Sequence, residues 1–73
     1  MAKEEEDYLK KFGNHLWETK KAKGLSYRKI AANRNIEHSD IKRYVDGQIN
    51  PTLLSLIELA KGLGIEPKEL LEF

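Results

Sequence analysis

Four side chains able to make specific hydrogen bonds stand close together at His38, Ser39, Lys42 and Arg43. On an α-helix, positions spaced i, i+1, i+4 and i+5 project from one side. Ile41 and Tyr44, three apart, give the same helix an apolar edge to bury. An imidazole, a hydroxyl, an ammonium and a guanidinium then form an exposed stripe of donors and acceptors. That is the chemistry of a helix that reads the edges of DNA base pairs. Arg43 suits the task because its fork meets two guanine acceptors at once.

Such a helix has to be braced, and residues 27–46 supply the brace. They read as two short helices joined by a tight turn. The first carries Ile30 and Ala31 inward, the small Ala31 leaving room for the second helix to cross close by. Asn35 falls where the chain must reverse, and asparagine tolerates a left-handed backbone better than most residues. Ile36 plugs the corner.

The remaining elements follow from caps and periodicity. Helix one is predicted over residues 3–22, with acidic residues at its start and lysines at its end, both complementing the helix dipole. Leu9, Phe12, Leu16 and Thr19 recur at three- and four-residue steps and form its core stripe, with Trp17 off that stripe. Residues 1–8 are expected to be a frayed acidic extension of this helix. Gly24 is its stop, Leu25 turns inward, and Ser26 caps helix two, predicted over 27–34. Lys29 does not complete a capping box, so that cap is single-sided. Helix three covers 38–45 and ends at Gly47. Thr52 caps helix four, which runs to about Gly62 with Leu53, Leu56, Ala60 and Leu63 inward. After Gly64 and Ile65, Pro67 opens a final turn or short helix through Leu70, Leu71 and Phe73. Five helices and no strand predict an all-α bundle.

Size and composition narrow the possible functions. Seventy-three residues make one domain with a modest core. The absence of cysteine excludes disulfides and thiolate metal sites. No apolar run approaches the ~18 residues of a membrane span, and the N-terminus is acidic where a secretory signal would be basic. A soluble, cytoplasmic protein is expected. The net charge of +1 conceals an uneven distribution: residues 1–9 sum to −3, residues 10–43 to +7 and residues 44–73 to −3. A basic middle between acidic ends can draw phosphate to one face. His15 and His38 are the only histidines and lack a matching carboxylate set, so no metal site is expected. No catalytic residues or cofactor are expected either. There is no glycine-rich phosphate loop or paired-carboxylate signature, and Ser26 and Ser39 have capping and surface roles.

The ordered signals resemble the phage repressor and Cro-like, or XRE-type, helix-turn-helix family. The resemblance runs from Phe12 to Phe73. It rests on Gly24-Leu25-Ser26, Ile30-Ala31, Ile36, Ile41, Tyr44 and Asp46-Gly47, followed by Asn50-Pro51-Thr52-Leu53, Leu56, Leu59-Ala60, Leu63-Gly64-Ile65 and Glu69-Leu70. It implies a five-helix bundle of the lambda-repressor-like type that binds double-stranded operator DNA as a homodimer in bacteria or their phages. By position, His38, Ser39 and Arg43 would contact bases, and Lys42 a base or a neighbouring phosphate. Tyr27 falls where the family usually has a phosphate-binding glutamine. Arg28, Gln48 and Asn50 are further backbone candidates, helped by free amide groups in the 48–50 loop.

The chain departs from the pattern at four places. Asn35 replaces a turn glycine, and Arg34 takes an apolar position, where its stem can cover the core. Val45 replaces a glutamate that would pair with a base on helix one, so Lys20 is expected to lack that partner. Asp40 faces outward, where it would repel phosphate unless it accepts a proton from cytosine or orients Arg43. Leu54, Ile57, Leu70, Leu71 and Phe73 are predicted to contribute to a dimer contact, because a small domain gains stability by covering them. The function implied is a transcriptional regulator, either a repressor or a restriction–modification controller. Two alternatives share the pattern: an antitoxin that also covers a toxin protein, and a protein-interaction module that has lost DNA binding.

Overall fold

Glycine and hydroxyl caps set where the helices start and stop. A computed structural model describes residues 2–32 and 34–73. The chain forms α1 (Lys3–Lys23), α2 (Tyr27–Ala31), α3 (His38–Val45), α4 (Leu53–Leu63) and a closing 3₁₀ turn (Pro67–Leu71). α1 ends on left-handed Gly24 and α4 on left-handed Gly64, with φ of 65° and 73°. After each, Leu25 and Ile65 return their N–H groups to the carbonyls of Lys20 and Ala60, at 3.2 and 3.0 Å. Both apolar side chains then pack on the core. This pairing of a glycine stop with a hydrophobic anchor redirects the chain twice in the same way. Ser26 Oγ accepts the N–H of Lys29, and Thr52 Oγ1 that of Ser55, both at 3.1 Å.

Two elements differ from expectation. Among the described residues there are four α-helices and not five, because the segment after Glu66 tightens into a 3₁₀ turn. Five residues beginning with a proline leave too few donors to stabilise an α-helix. The Glu66 N–H is satisfied instead by Glu69 Oε2 at 2.7 Å. Helix two stops at Ala31, short of residue 34, as Ala32 swings to an extended ψ of 126°. Asn33, inside the predicted span, lies outside the described residues. Beyond it the Asn35 N–H donates to Glu58 Oε1 of α4 at 3.4 Å and not to a helical carbonyl. This tertiary contact joins a local turn bond, from the Arg34 N–H to the Ala31 carbonyl at 3.1 Å, and Arg34 stands exposed.

Every element sends at least one side chain to the centre. Leu16, Ile30, Ile41, Leu59, Ala60 and Leu70 are fully buried, and Phe12, Tyr44 and Leu63 nearly so. Each large apolar side chain contributes roughly 1.5–3 kcal/mol by leaving water. Tyr44 buries its ring and donates its hydroxyl to Ser55 Oγ at 3.2 Å, fastening α3 to α4. Leu9 and Thr19 are only half-buried, at the margin of the α1 stripe. Leu53, predicted inward, is 71% exposed. It is the first residue of α4, and helical side chains lean toward the N-terminus, which carries it past the end of the core.

Two glycines permit the tightest crossings. A Cβ on Gly13 would overlap the carbonyl oxygens of Tyr44 and Val45, and one on Gly62 would overlap that of Ile30. α1 therefore lies directly on the end of α3, and α4 on α2. These contacts fix how far the recognition segment stands out from the bundle. No described helix is long and apolar enough to cross a membrane.

Candidate nucleic-acid interface

α3 owes its two-sided character to the spacing of its apolar residues. Ile41 is 0% exposed and Tyr44 6%, so that side of the helix is anchored in the core. His38, Ser39, Lys42 and Arg43 are all exposed. The helix begins after Glu37, which makes no side-chain cap, and ends at Asp46. Gly47 (φ 69°) then lets Gln48 return its N–H to the Arg43 carbonyl at 2.9 Å. The amide of Gln48 is therefore already used and is not among the free donors expected of the 48–50 loop. The closing geometry of a glycine-terminated helix consumes it. The side chains of Gln48 and Asn50 are exposed beside it.

Both cations of α3 have carboxylate neighbours, Asp40 on the helix itself and Asp46 at its C-terminal cap. Lys42 Nζ donates to Asp46 Oδ1 and Oδ2, each at 2.8 Å. That hydrogen bond raises the lysine pKa above its ordinary value, with the nearby negative charge of Asp46 acting in the same direction against desolvation. Arg43 Nη1 lies 3.9 Å from Asp40 Oδ1. Asp40 is half-buried and has the Arg43 guanidinium as its ion-pair neighbour.

Tyr27 opens α2 half-buried, packed against the core, with Arg28 exposed next to it. Lys20 Nζ lies over the Tyr27 ring, 4.7 Å from its centroid. With Val45 in place of a glutamate, Lys20 has an aromatic face where an ion pair was expected to be missing. Such a contact is worth about 0.5–1 kcal/mol at an exposed site. Sequence reasoning treated Lys20 and Tyr27 separately, and nothing local in the sequence links residues on two helices.

A second feature was also missed. Lys10, Asn14 and Trp17 of α1 face Tyr27, Lys42 and Asp46 across an open cleft of about 390 Å³. Trp17 is 37% exposed, and Lys21 Nζ sits 4.1 Å from its ring centroid. The signal was present as the 4-3-4 spacing of Lys10, Asn14, Trp17 and Lys21 along one flank of α1.

Of the apolar residues predicted for a dimer contact, Leu70 must be withdrawn. It is 0% exposed and closes the core of its own chain, because the 3₁₀ turn directs it inward. Leu54, Leu71 and Phe73 are 73%, 57% and 49% exposed, and Ile57 is half-buried. The Phe73 ring lies 6.1 Å from that of His15 on α1, whose Nε2–H donates to the Glu69 carbonyl at 2.7 Å.

No family model matches the sequence, and no curated protein matches it either. Among solved structures, the chain is similar to the crystal structure of the restriction–modification controller protein C.AhdI from Aeromonas hydrophila. The two are 40% identical with a TM-score of 0.79, over 85% of this chain and 94% of that one. Identity at that level over nearly the whole of both chains extends beyond a shared fold. This chain belongs to the Cro/C1-type, or XRE-type, helix-turn-helix family of DNA-binding transcriptional regulators.

Proposed function

We propose that this protein is a regulator of the restriction–modification-controller kind that binds a two-fold symmetric operator as a homodimer. α3 enters the major groove, where His38, Ser39 and Arg43 meet base edges and Lys42 meets a base or the adjacent phosphate. The Tyr27 hydroxyl, Arg28, Gln48 and Asn50 hold the backbone on either side and fix the register of α3. The observation that carries this reading is the arrangement of α3. Four exposed polar side chains lie opposite a buried Ile41–Tyr44 edge, on a helix pinned at its end by Gly13.

Dimerisation supplies what one short helix lacks, since a single half-site offers too few base contacts for specificity. Leu54, 73% exposed at the first turn of α4, with its neighbours Leu53 and Ile57, and Leu71 and Phe73 near the C-terminus offer apolar surface to a second copy. Two-fold symmetry would set half-sites about 34 Å apart, one helical turn.

Selection of bound duplexes from a random pool tests the proposal. An inverted repeat with half-site centres one turn apart is the expected outcome. Enrichment of a single asymmetric site, or of none, would overturn it.

A further inference from the structure

The recognition helix is poorly equipped to grip phosphate by charge. Lys42 is held by Asp46 and Arg43 lies beside Asp40, while Glu37 adds a further negative charge at the start of the helix. The cations that attract the DNA backbone must therefore come mainly from other elements. The cleft beside α3 supplies them. Among the described residues Lys10 makes no ion pair. Its stem runs against Gly47, where a Cβ would lie 3.0 Å from Lys10 Cγ. The Lys20 and Lys21 ammonium groups lie over the rings of Tyr27 and Trp17, two of the residues lining the cleft, although Lys21 also lies 3.8 Å from Glu18.

We propose that this cleft, lined by Lys10, Asn14, Trp17, Tyr27 and Lys42, holds a backbone phosphate of the bound duplex beside the bases read by α3. The proposal rests on the DNA-binding reading above and extends its footprint onto α1. The residues lining the cleft are an asparagine, a tryptophan, a tyrosine and two lysines, with Val45 and the acidic Asp46 beside them. Two ammonium groups against the one carboxylate of Asp46 leave a single positive charge, the complement of a phosphodiester. Asp46 holds Lys42 with both oxygens at 2.8 Å, so the unbalanced charge of the cleft is that of Lys10.

Titration of a duplex by fluorescence anisotropy at several salt concentrations tests this with Lys10→Gln, which keeps the methylenes that pack on Gly47. The slope of log K against log[salt] should become shallower by about 0.9, equivalent to ~3.5-fold in affinity over a fourfold change in salt. The loss should be the same on operator and unrelated duplexes. Lys68→Gln, on the 3₁₀ turn, should leave the slope unchanged. Trp17, the one tryptophan, provides a second readout: its emission should change with the same midpoint as the anisotropy. A wild-type slope in Lys10→Gln, or Trp17 emission unaltered at saturation, overturns the cleft assignment while DNA binding stands. Failure of the unmutated protein to bind any duplex would instead remove the reading beneath it, and the cleft assignment with it.

Discussion

Lys42 gives its ammonium to both carboxylate oxygens of Asp46, the residue that caps α3, each 2.8 Å away. The cation nearest the centre of the proposed interface is therefore neutralised within the free protein. Asp46→Asn should release it. DNA binding should then tighten at low salt on all sequences alike, and the slope of log K against log[salt] should steepen by about 0.9, one additional phosphate contact. Anisotropy titrations across a salt series measure this. An unchanged slope would mean that Lys42 already leaves Asp46 when DNA binds.

Arg43 and Arg28 are expected to fail differently. Arg43→Ala should cost roughly 1–3 kcal/mol on the selected site and relax preference at one base position. Arg28→Ala should weaken every sequence similarly and flatten the salt dependence. Binding of each variant to a panel of single-base operator variants separates the two. Identical behaviour at every site and salt would invalidate the division into base and phosphate contacts.

Gly13 and Gly62 lie inside helices, where alanine is ordinarily favoured by about 1 kcal/mol. Here the sign should reverse, because the added Cβ meets backbone carbonyls of α3 or α2 and not a mobile side chain. Gly13→Ala and Gly62→Ala should each lower stability by about 1–3 kcal/mol through overpacking. Urea denaturation monitored by Trp17 fluorescence reports it. Gly13→Ala should also displace the end of α3 and reduce operator affinity beyond its effect on folding.

Leu54 and Leu70 differ by context alone. Leu54→Glu should shift sedimentation toward monomer and weaken operator binding without unfolding the chain. Leu70→Ala should cost about 2–5 kcal/mol of stability, because it empties a site with no solvent access. Thermal denaturation and concentration-dependent sedimentation of the two variants distinguish the roles. A Leu54→Glu variant that dimerises normally would place the contact elsewhere.

Much of the fold was legible because its signals act over a few residues. Ser26 and Thr52 hold N–H groups three residues on, and Gly24, Gly47 and Gly64 stop helices through bonds that close within five. α3 was placed at 38–45 with its polar and buried sides correctly divided, since 3.6-residue periodicity alone sorts Ile41 and Tyr44 from His38, Ser39, Lys42 and Arg43.

What required the folded chain were relationships between residues that the sequence keeps apart. α2 ends at Ala31, and beyond it Glu58 of α4 accepts the Asn35 N–H. Leu53 and Leu70 are both leucines in apolar runs, yet one overhangs the core and the other closes it, because burial depends on which partner surface is present. The stacking of Lys20 on Tyr27, the α1–α3 contact at Gly13 and the cleft around Lys10 and Trp17 are likewise properties of packing. Local hydrogen bonding and side-chain periodicity determined the helices and the reading face, since each is complete within a turn or two of chain. The surroundings of that face were decided only when the helices crossed, since distances between side chains on separate elements are set by the crossing itself.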